Sequence, residues 1–368
     1  MPTTRRAFLQ ATTLGVASAA LPARAQPASP SGLIDFHAHW IGPRVVELLG
    51  ARTSPRPPQG QSWFDIEARL RELDRAGVQR QVLSYVGAAY DGVLSPEEAR
   101  PFWRAQNDDL GALARKHPTR FSGLATLPTA NVTWAADELQ RAHQDLGLLG
   151  ATLPLDAFIS LAGARALAPI FAVAQKNRSH IFVHRGAASA DIPGRQPEAG
   201  GTNAYFGLAA PDGATPRPTA TPGDNSSART LLITAAHLAT GVITLALTDF
   251  LDAYPDVTVQ VAMMGGAISS VAEAIQMAAE EAGQPIPRFR RVYLDTGQSG
   301  RGPRGIALAA QVFGIDRILF GTDSGPVASV ASTIESVKQA ALTMEEKKQI
   351  FVENGRRLLE ARGVKVSV

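Results

Sequence analysis

From residue 33 onward, short apolar runs rich in β-branched residues alternate with stretches whose apolar positions follow a helical period. Eight such runs stand out, at residues 33–39, 79–86, 121–127, 149–153, 180–184, 257–264, 291–296 and 317–323. Between them the period predicts helices at 65–76, 133–146, 163–177, 237–253, 268–282, 305–313 and 331–341, with a last one at about 343–361. Gly77 reads as a C-cap, and Ser95-Pro96-Glu97-Glu98 opens a further helix with Ser95 as N-cap and Pro96 in the first turn. Eight strands alternating with helices is the count of an α/β protein built as a (β/α)8 TIM barrel. A doubly wound open sheet shows similar alternation, but no G-x-G-x-x-G follows the first run, which counts against a dinucleotide site.

Two segments fall outside this rhythm. Residues 186–225 form a long loop rich in Pro, Gly and Ala, placed after the fifth run, and so on the mouth side of a barrel. Residues 1–25 read as a twin-arginine signal peptide: Arg5-Arg6 precede a moderately apolar stretch and the small-x-small site Ala23-Arg24-Ala25. The mature chain is then one domain, 26–368, periplasmic or secreted, whose partner in transit is the twin-arginine export machinery. No later segment reads as long and apolar enough to cross a membrane.

The leader changes the charge balance. The whole chain carries 36 basic and 33 acidic residues, and Arg5, Arg6 and Arg24 leave with a leader that holds no acid. The remaining 33 basic residues are level with the 33 acidic ones, with no dense basic tract, so neither nucleic acid nor a membrane surface is an expected partner. The chain has no cysteine, which excludes disulfides, thiolate ligands and a cysteine nucleophile. Any metal site must be built from His, Asp, Glu and water.

In a barrel, chemistry sits at the C-terminal ends of the strands. His37 and His39 end the first run and share a face, because strand side chains alternate. His184 ends the fifth run and Asp323 the eighth. Three imidazoles and a carboxylate make a plausible set of ligands for one divalent metal ion, Zn2+ first and Mn2+ second. Trp40 and Arg185 directly follow ligands and are candidates to touch an aromatic or carboxylated substrate. His117 and His143 read as surface residues, and His180 begins a strand, away from the chemistry.

These motifs resemble the amidohydrolase superfamily, in its decarboxylase-rich branch, which includes the aminocarboxymuconate-semialdehyde, 6-methylsalicylate and γ-resorcylate decarboxylases. The resemblance is carried by Ile34-Asp35-Phe36-His37-Ala38-His39, Phe182-Val183-His184, Gly265-Gly266-Ala267, Val292-Tyr293-Leu294-Asp295-Thr296, Leu319-Phe320-Gly321-Thr322-Asp323 and the tail at 350–359, and it covers essentially the mature chain. It implies that His37, His39, His184 and Asp323 bind the metal, that Asp323 also exchanges a proton, and that the protein forms a homodimer. One position departs: Met263 stands where the branch carries an acid/base histidine before Gly-Gly. Methionine cannot carry a proton, so His237, read as the start of the helix 237–253, becomes the candidate replacement.

Two activities follow. One is a metal-dependent carbon–carbon lyase, a decarboxylase of a small aromatic carboxylic acid, which the resemblance favours. The other is a metal-dependent hydrolase of a lactone, ester or amide, which needs no histidine at 263. A non-catalytic binding protein is disfavoured, because all four ligand positions are intact.

Overall fold

A computed structural model describes residues 31–50, 64–85, 91, 94–197, 213, 218–284, 288–297, 302–325 and 330–366. The expected leader lies outside the described residues, as do 198–212 and 214–217 of the long loop.

All eight expected runs form strands, nine in all because one run is split, and all pair in parallel. They are β1 (Leu33–His39), β2 (Val78–Ser84), β3 (Phe121–Gly123), β4 (Ala125–Thr126), β5 (Gly150–Pro154), β6 (His180–His184), β7 (Thr258–Val261), β8 (Tyr293–Asp295) and β9 (Ile318–Leu319). The expected run 121–127 appears as β3 and β4, interrupted at Leu124. The two ladders, β1-β2-β3 and β4 through β9 in order, therefore make a (β/α)8 arrangement with two seams. Each seam is partly stitched. Leu124 N–H donates to the Leu83 carbonyl at 2.9 Å, and between last and first strands Phe36 and His39 N–H groups donate to the Phe320 and Ser324 carbonyls, both at 2.8 Å. Every residue of β1, β5 and β6 is buried, as expected of parallel strands covered by helices outside and packed side chains inside.

The helix Ile66–Ala76 starts at Asp65, whose carboxylate accepts from Ala68 N–H, and stops at Gly77 in the left-handed region (φ 73°). The helix Pro96–Lys116 opens on a capping box between Ser95 and Glu98. The stretch 163–177 divides into Leu161–Ala166 and Ala168–Lys176, and a short helix, Pro43–Gly50, follows β1.

The expected helix 237–253 is corrected most. It runs from Ser226 to Leu247, with the Asn225 side chain accepting from Ala228 N–H, and 250–253 is a separate 3-10 turn. His237 is therefore mid-helix and not at a helix start. At 22 residues this helix is long and apolar enough to cross a membrane by length and composition, contrary to the sequence expectation. Its apolar residues divide between two faces: Leu238, Val242 and Leu245 are fully buried in the core, while Leu231 and Leu232 are exposed.

His180, at the start of β6, is buried and supplies a pH dependence. Burial pushes its pKa down from 6.5 to about 3, and Arg362 adds to the shift. The unfolded chain thus takes up a proton that the folded chain refuses across this interval, so stability falls as pH falls from about 6.5 towards 3. His180→Gln should flatten the acid limb of a stability-against-pH curve over that interval; a curve parallel to wild type would contradict this assignment.

Candidate metal centre

The strand ends bring the expected ligands together. One ligand atom from each of His37, His39, His184 and Asp323 lies within 4.8 Å of all the others, and all four residues are buried. His37 Nε2 is 3.2 Å from His39 Nε2, and Asp323 Oδ1 is 3.1 Å from His39 Nε2 and 3.4 Å from His37 Nε2. Two ligands about 2.1 Å from a tetrahedral ion stand roughly 3.4 Å apart, so the spacing fits a single ion.

The other ring nitrogens show why the Nε2 atoms face inward. His37 Nδ1–H donates to Asp295 Oδ1 at 2.8 Å, and His184 Nδ1–H donates to the Arg185 carbonyl at 3.0 Å. His39 Nδ1 lies 3.1 Å from Ser84 Oγ, whose own proton is directed at the Ala38 carbonyl. Each Nδ1 is thereby a donor, and each Nε2 keeps its lone pair for a metal.

Asp323 takes up a left-handed backbone conformation (φ 56°), and its N–H donates to the His37 carbonyl at 2.7 Å. Such a conformation costs about 1 kcal/mol or more for a non-glycine residue, least for Asn and Asp, and here it directs the carboxylate at His37 and His39. The preceding Gly321 is needed for space, because a Cβ there would lie 2.7 Å from His37 Cβ. Gly297 is confined in the same way, at 2.6 Å from His37 Nδ1.

Two buried carboxylates brace the strand ends. Asp295 accepts from His37 Nδ1, Met263 N–H and Gly297 N–H at Oδ1, and from Gln260 Nε2 at Oδ2. Asp35 accepts from His37 N–H, Gln81 Nε2, and the N–H and hydroxyl of Thr322. Neither was given a role from the sequence, although Asp295 ends β8 and so met the criterion that singled out Asp323. Ser84, at the end of β2, was missed likewise.

Without an ion the cluster is electrostatically lopsided. Burial opposes charge on His37, but Asp295 and Asp323 outweigh it and hold its pKa up at about 10. Burial pushes His39 and His184 down, and His37 adds to both shifts. Burial also works against charge on Asp323, yet His37 and His39 hold it well below the usual carboxylate range. A divalent cation among neutral imidazoles would balance the two carboxylates, Asp295 and Asp323, so the donor set and its charge suit such an ion.

The other expected site residues are placed differently. His237 is outside the cluster and half-buried; it helps to lower the pKa of buried Asp156, which burial raises. Trp40 is buried, and its indole N–H has no hydrogen-bond partner among the described residues. Arg185 is half-buried next to His184. Met263 follows β7, is 3% exposed, and with Met264 holds a positive φ (54° and 57°) where its N–H meets Asp295.

A family profile described as amidohydrolase matches residues 34–361. The chain belongs to the amidohydrolase family. It is 30% identical over 121 residues to the 2-amino-3-carboxymuconate-6-semialdehyde decarboxylase of Dictyostelium discoideum, a match covering 33% of this chain and 34% of that protein. It is 35% identical over 85 residues to a γ-resorcylate decarboxylase of Polaromonas sp., covering 23% of this chain and 26% of that protein. The matches thus span about a third or less of these relatives. Among solved structures, a dihydroxybenzoic acid decarboxylase from Polaromonas sp. with bound manganese and 2-nitroresorcinol superimposes with a TM-score of 0.63 at 21% identity, covering 90% of this amidohydrolase and 97% of that chain. That likeness establishes a shared fold.

Proposed function

We propose that this amidohydrolase is a metal-dependent decarboxylase of a small aromatic carboxylic acid, with one divalent ion held by His37, His39, His184 and Asp323. The observation that carries the reading is the buried cluster of three imidazoles and a carboxylate, with every Nδ1 occupied by a partner. The names of the two relatives above, a 2-amino-3-carboxymuconate-6-semialdehyde decarboxylase and a γ-resorcylate decarboxylase, support the reaction class. The imidazole-rich donor set suits zinc, while the Polaromonas structure holds manganese; reconstitution with each ion decides between them.

Bound at this site, a divalent ion supplies Lewis-acid stabilisation of negative charge developing on the substrate. Decarboxylation breaks the bond from the carboxylate to the ring carbon; the electron pair stays on that carbon, which then takes up a proton. Asp323 is the acid/base group at the cluster. His237 is proposed as a second proton carrier, since Met263 cannot serve. Trp40 and Arg185 are proposed substrate contacts, and the Trp40 indole N–H, unpartnered among the described residues, is suited to an acceptor oxygen.

The alternative, hydrolysis of a lactone, ester or amide, is favoured by one observation, the methionine at 263. A side-by-side assay separates the two. Metal-loaded protein given dihydroxybenzoates and simple aryl lactones should release carbon dioxide and leave the lactones intact; lactone opening without carbon dioxide would reverse the assignment. In the same assay His237→Ala should cost at least about a hundredfold in rate with metal content unchanged. Normal turnover would leave Asp323 as the sole proton carrier.

The twin-arginine leader and a periplasmic or secreted location are also part of the proposal. Replacing Arg5 and Arg6 by Lys should retain the protein in the cytoplasm; undiminished export would remove that leader from the account.

A further inference from the structure

We propose that His180 is a positioning residue for the metal centre, acting through Gln260 and Asp295 to fix the orientation and tautomer of His37. The inference rests on the reading of His37 as a metal ligand. It concerns a histidine at the opposite end of β6 from His184, where the sequence suggests no role.

The contacts form one continuous path across the barrel interior. Arg362, in the C-terminal tail, donates to Thr258 Oγ1. Thr258 Oγ1 lies 2.9 Å from His180 Nδ1, and His180 Nε2 lies 2.9 Å from Gln260 Oε1. Gln260 Nε2 is 2.6 Å from Asp295 Oδ2, and Asp295 Oδ1 is 2.8 Å from His37 Nδ1. His180, Gln260, Asp295 and His37 are all buried, so water does not compete for these groups.

The path has a direction, because each group settles the protons of the next. The Asp295 carboxylate and the Phe36 carbonyl can only accept, so the Gln260 nitrogen faces them and its oxygen faces His180 Nε2, while Thr258 Oγ1, accepting from Arg362, is free to give its own proton to His180 Nδ1. Burial keeps the imidazole neutral, leaving its single proton on Nε2, where it donates to Gln260 Oε1. The Gln260 carboxamide is thereby fixed with oxygen towards His180 and nitrogen towards Asp295 and the Phe36 carbonyl. Were it flipped, its oxygen would face the Asp295 carboxylate and its nitrogen the His180 N–H, two repulsive pairs in a buried site. With Gln260 fixed, Asp295 Oδ2 is engaged and Oδ1 is left to hold His37 Nδ1–H, which keeps the Nε2 lone pair on the metal side.

Metal affinity of folded protein tests this, read by chelator competition with Zn2+ and with Mn2+ well below the unfolding temperature. His180→Phe keeps a ring beside Phe36 but removes both nitrogens; it should weaken metal binding about tenfold. His180→Gln still offers an amide N–H to Gln260 and should stay within about threefold of wild type. Ile170→Ala, a core substitution off the path, should lower the unfolding temperature and leave affinity unchanged. If His180→Phe does not fold, Thr258→Val removes the hydroxyl that donates to His180 Nδ1 and should weaken binding in the same direction. His180→Phe or Thr258→Val binding as tightly as wild type, or Ile170→Ala losing as much affinity as His180→Phe, would overturn the proposal. Wild-type protein taking up no metal would instead remove the metal centre on which it rests.

Discussion

Asp323→Asn should reduce turnover of the metal-loaded enzyme by about 10³–10⁴-fold while leaving the barrel folded. The substitution is nearly isosteric, and asparagine tolerates the left-handed backbone that Asp323 occupies. The hydrogen bond from its N–H to the His37 carbonyl is kept. Two things are lost together. A neutral carboxamide cannot take up or return a proton at neutral pH, and it no longer supplies negative charge 3.1 Å and 3.4 Å from two imidazole nitrogens. Metal affinity should fall as well, so turnover is read at saturating metal, with an unfolding curve as the check on folding. Turnover within tenfold of wild type would show that Asp323 does not exchange the essential proton.

Asp295→Asn should weaken metal binding by about 10–100-fold and destabilise the protein by roughly 1–3 kcal/mol. Every group around the Asp295 carboxylate is a donor: His37 Nδ1, Met263 N–H and Gly297 N–H on one oxygen, and Gln260 Nε2 on the other. Asparagine must place its own NH2 against one of these sets. Facing Oδ1's partners, it meets His37 and pushes the ring towards the wrong tautomer; facing Gln260, it meets another amide N–H. No rotamer escapes, because the site is fully buried and Gly297 and Gly321 close around His37 and Asp295. Metal competition and thermal unfolding of the same variant check both halves of the expectation. Affinity and stability both at wild-type levels would mean that the carboxylate does not orient His37.

The parts of this account that were legible in the sequence share a physical basis. His37 and His39 converge because strand side chains alternate, and His184 and Asp323 join them because parallel strands end at one rim. Each could be read locally from a short apolar run and its last residues. What was not legible is what holds the ligands in place. His37 and Asp295 are 258 positions apart, Thr322 and Asp35 are 287, and Gln81 and Ser324 are 243. No local pattern marks such pairs, and a buried glutamine such as Gln260 looks like any other polar residue until its neighbours are known.

The helix carrying His237 was misread for a different reason. Its first turns present Leu231 and Leu232 to solvent, so the apolar period near its start does not mark a buried face. Asn225, which caps the true start, does not stand out in sequence from the other polar residues of the loop before it. The strand β3–β4 shows the converse. Its extent is readable, but the interruption at Leu124, whose N–H donates to the Leu83 carbonyl, leaves no trace in the local pattern.

The central claim is that one divalent ion sits among His37, His39, His184 and Asp323. Anomalous diffraction from crystals of zinc- or manganese-loaded protein tests it most directly. The account predicts one strong site per chain, about 2.0–2.2 Å from the four ligand atoms for zinc. Full loading in solution with no anomalous peak at that point, or a peak held by other residues, would contradict it.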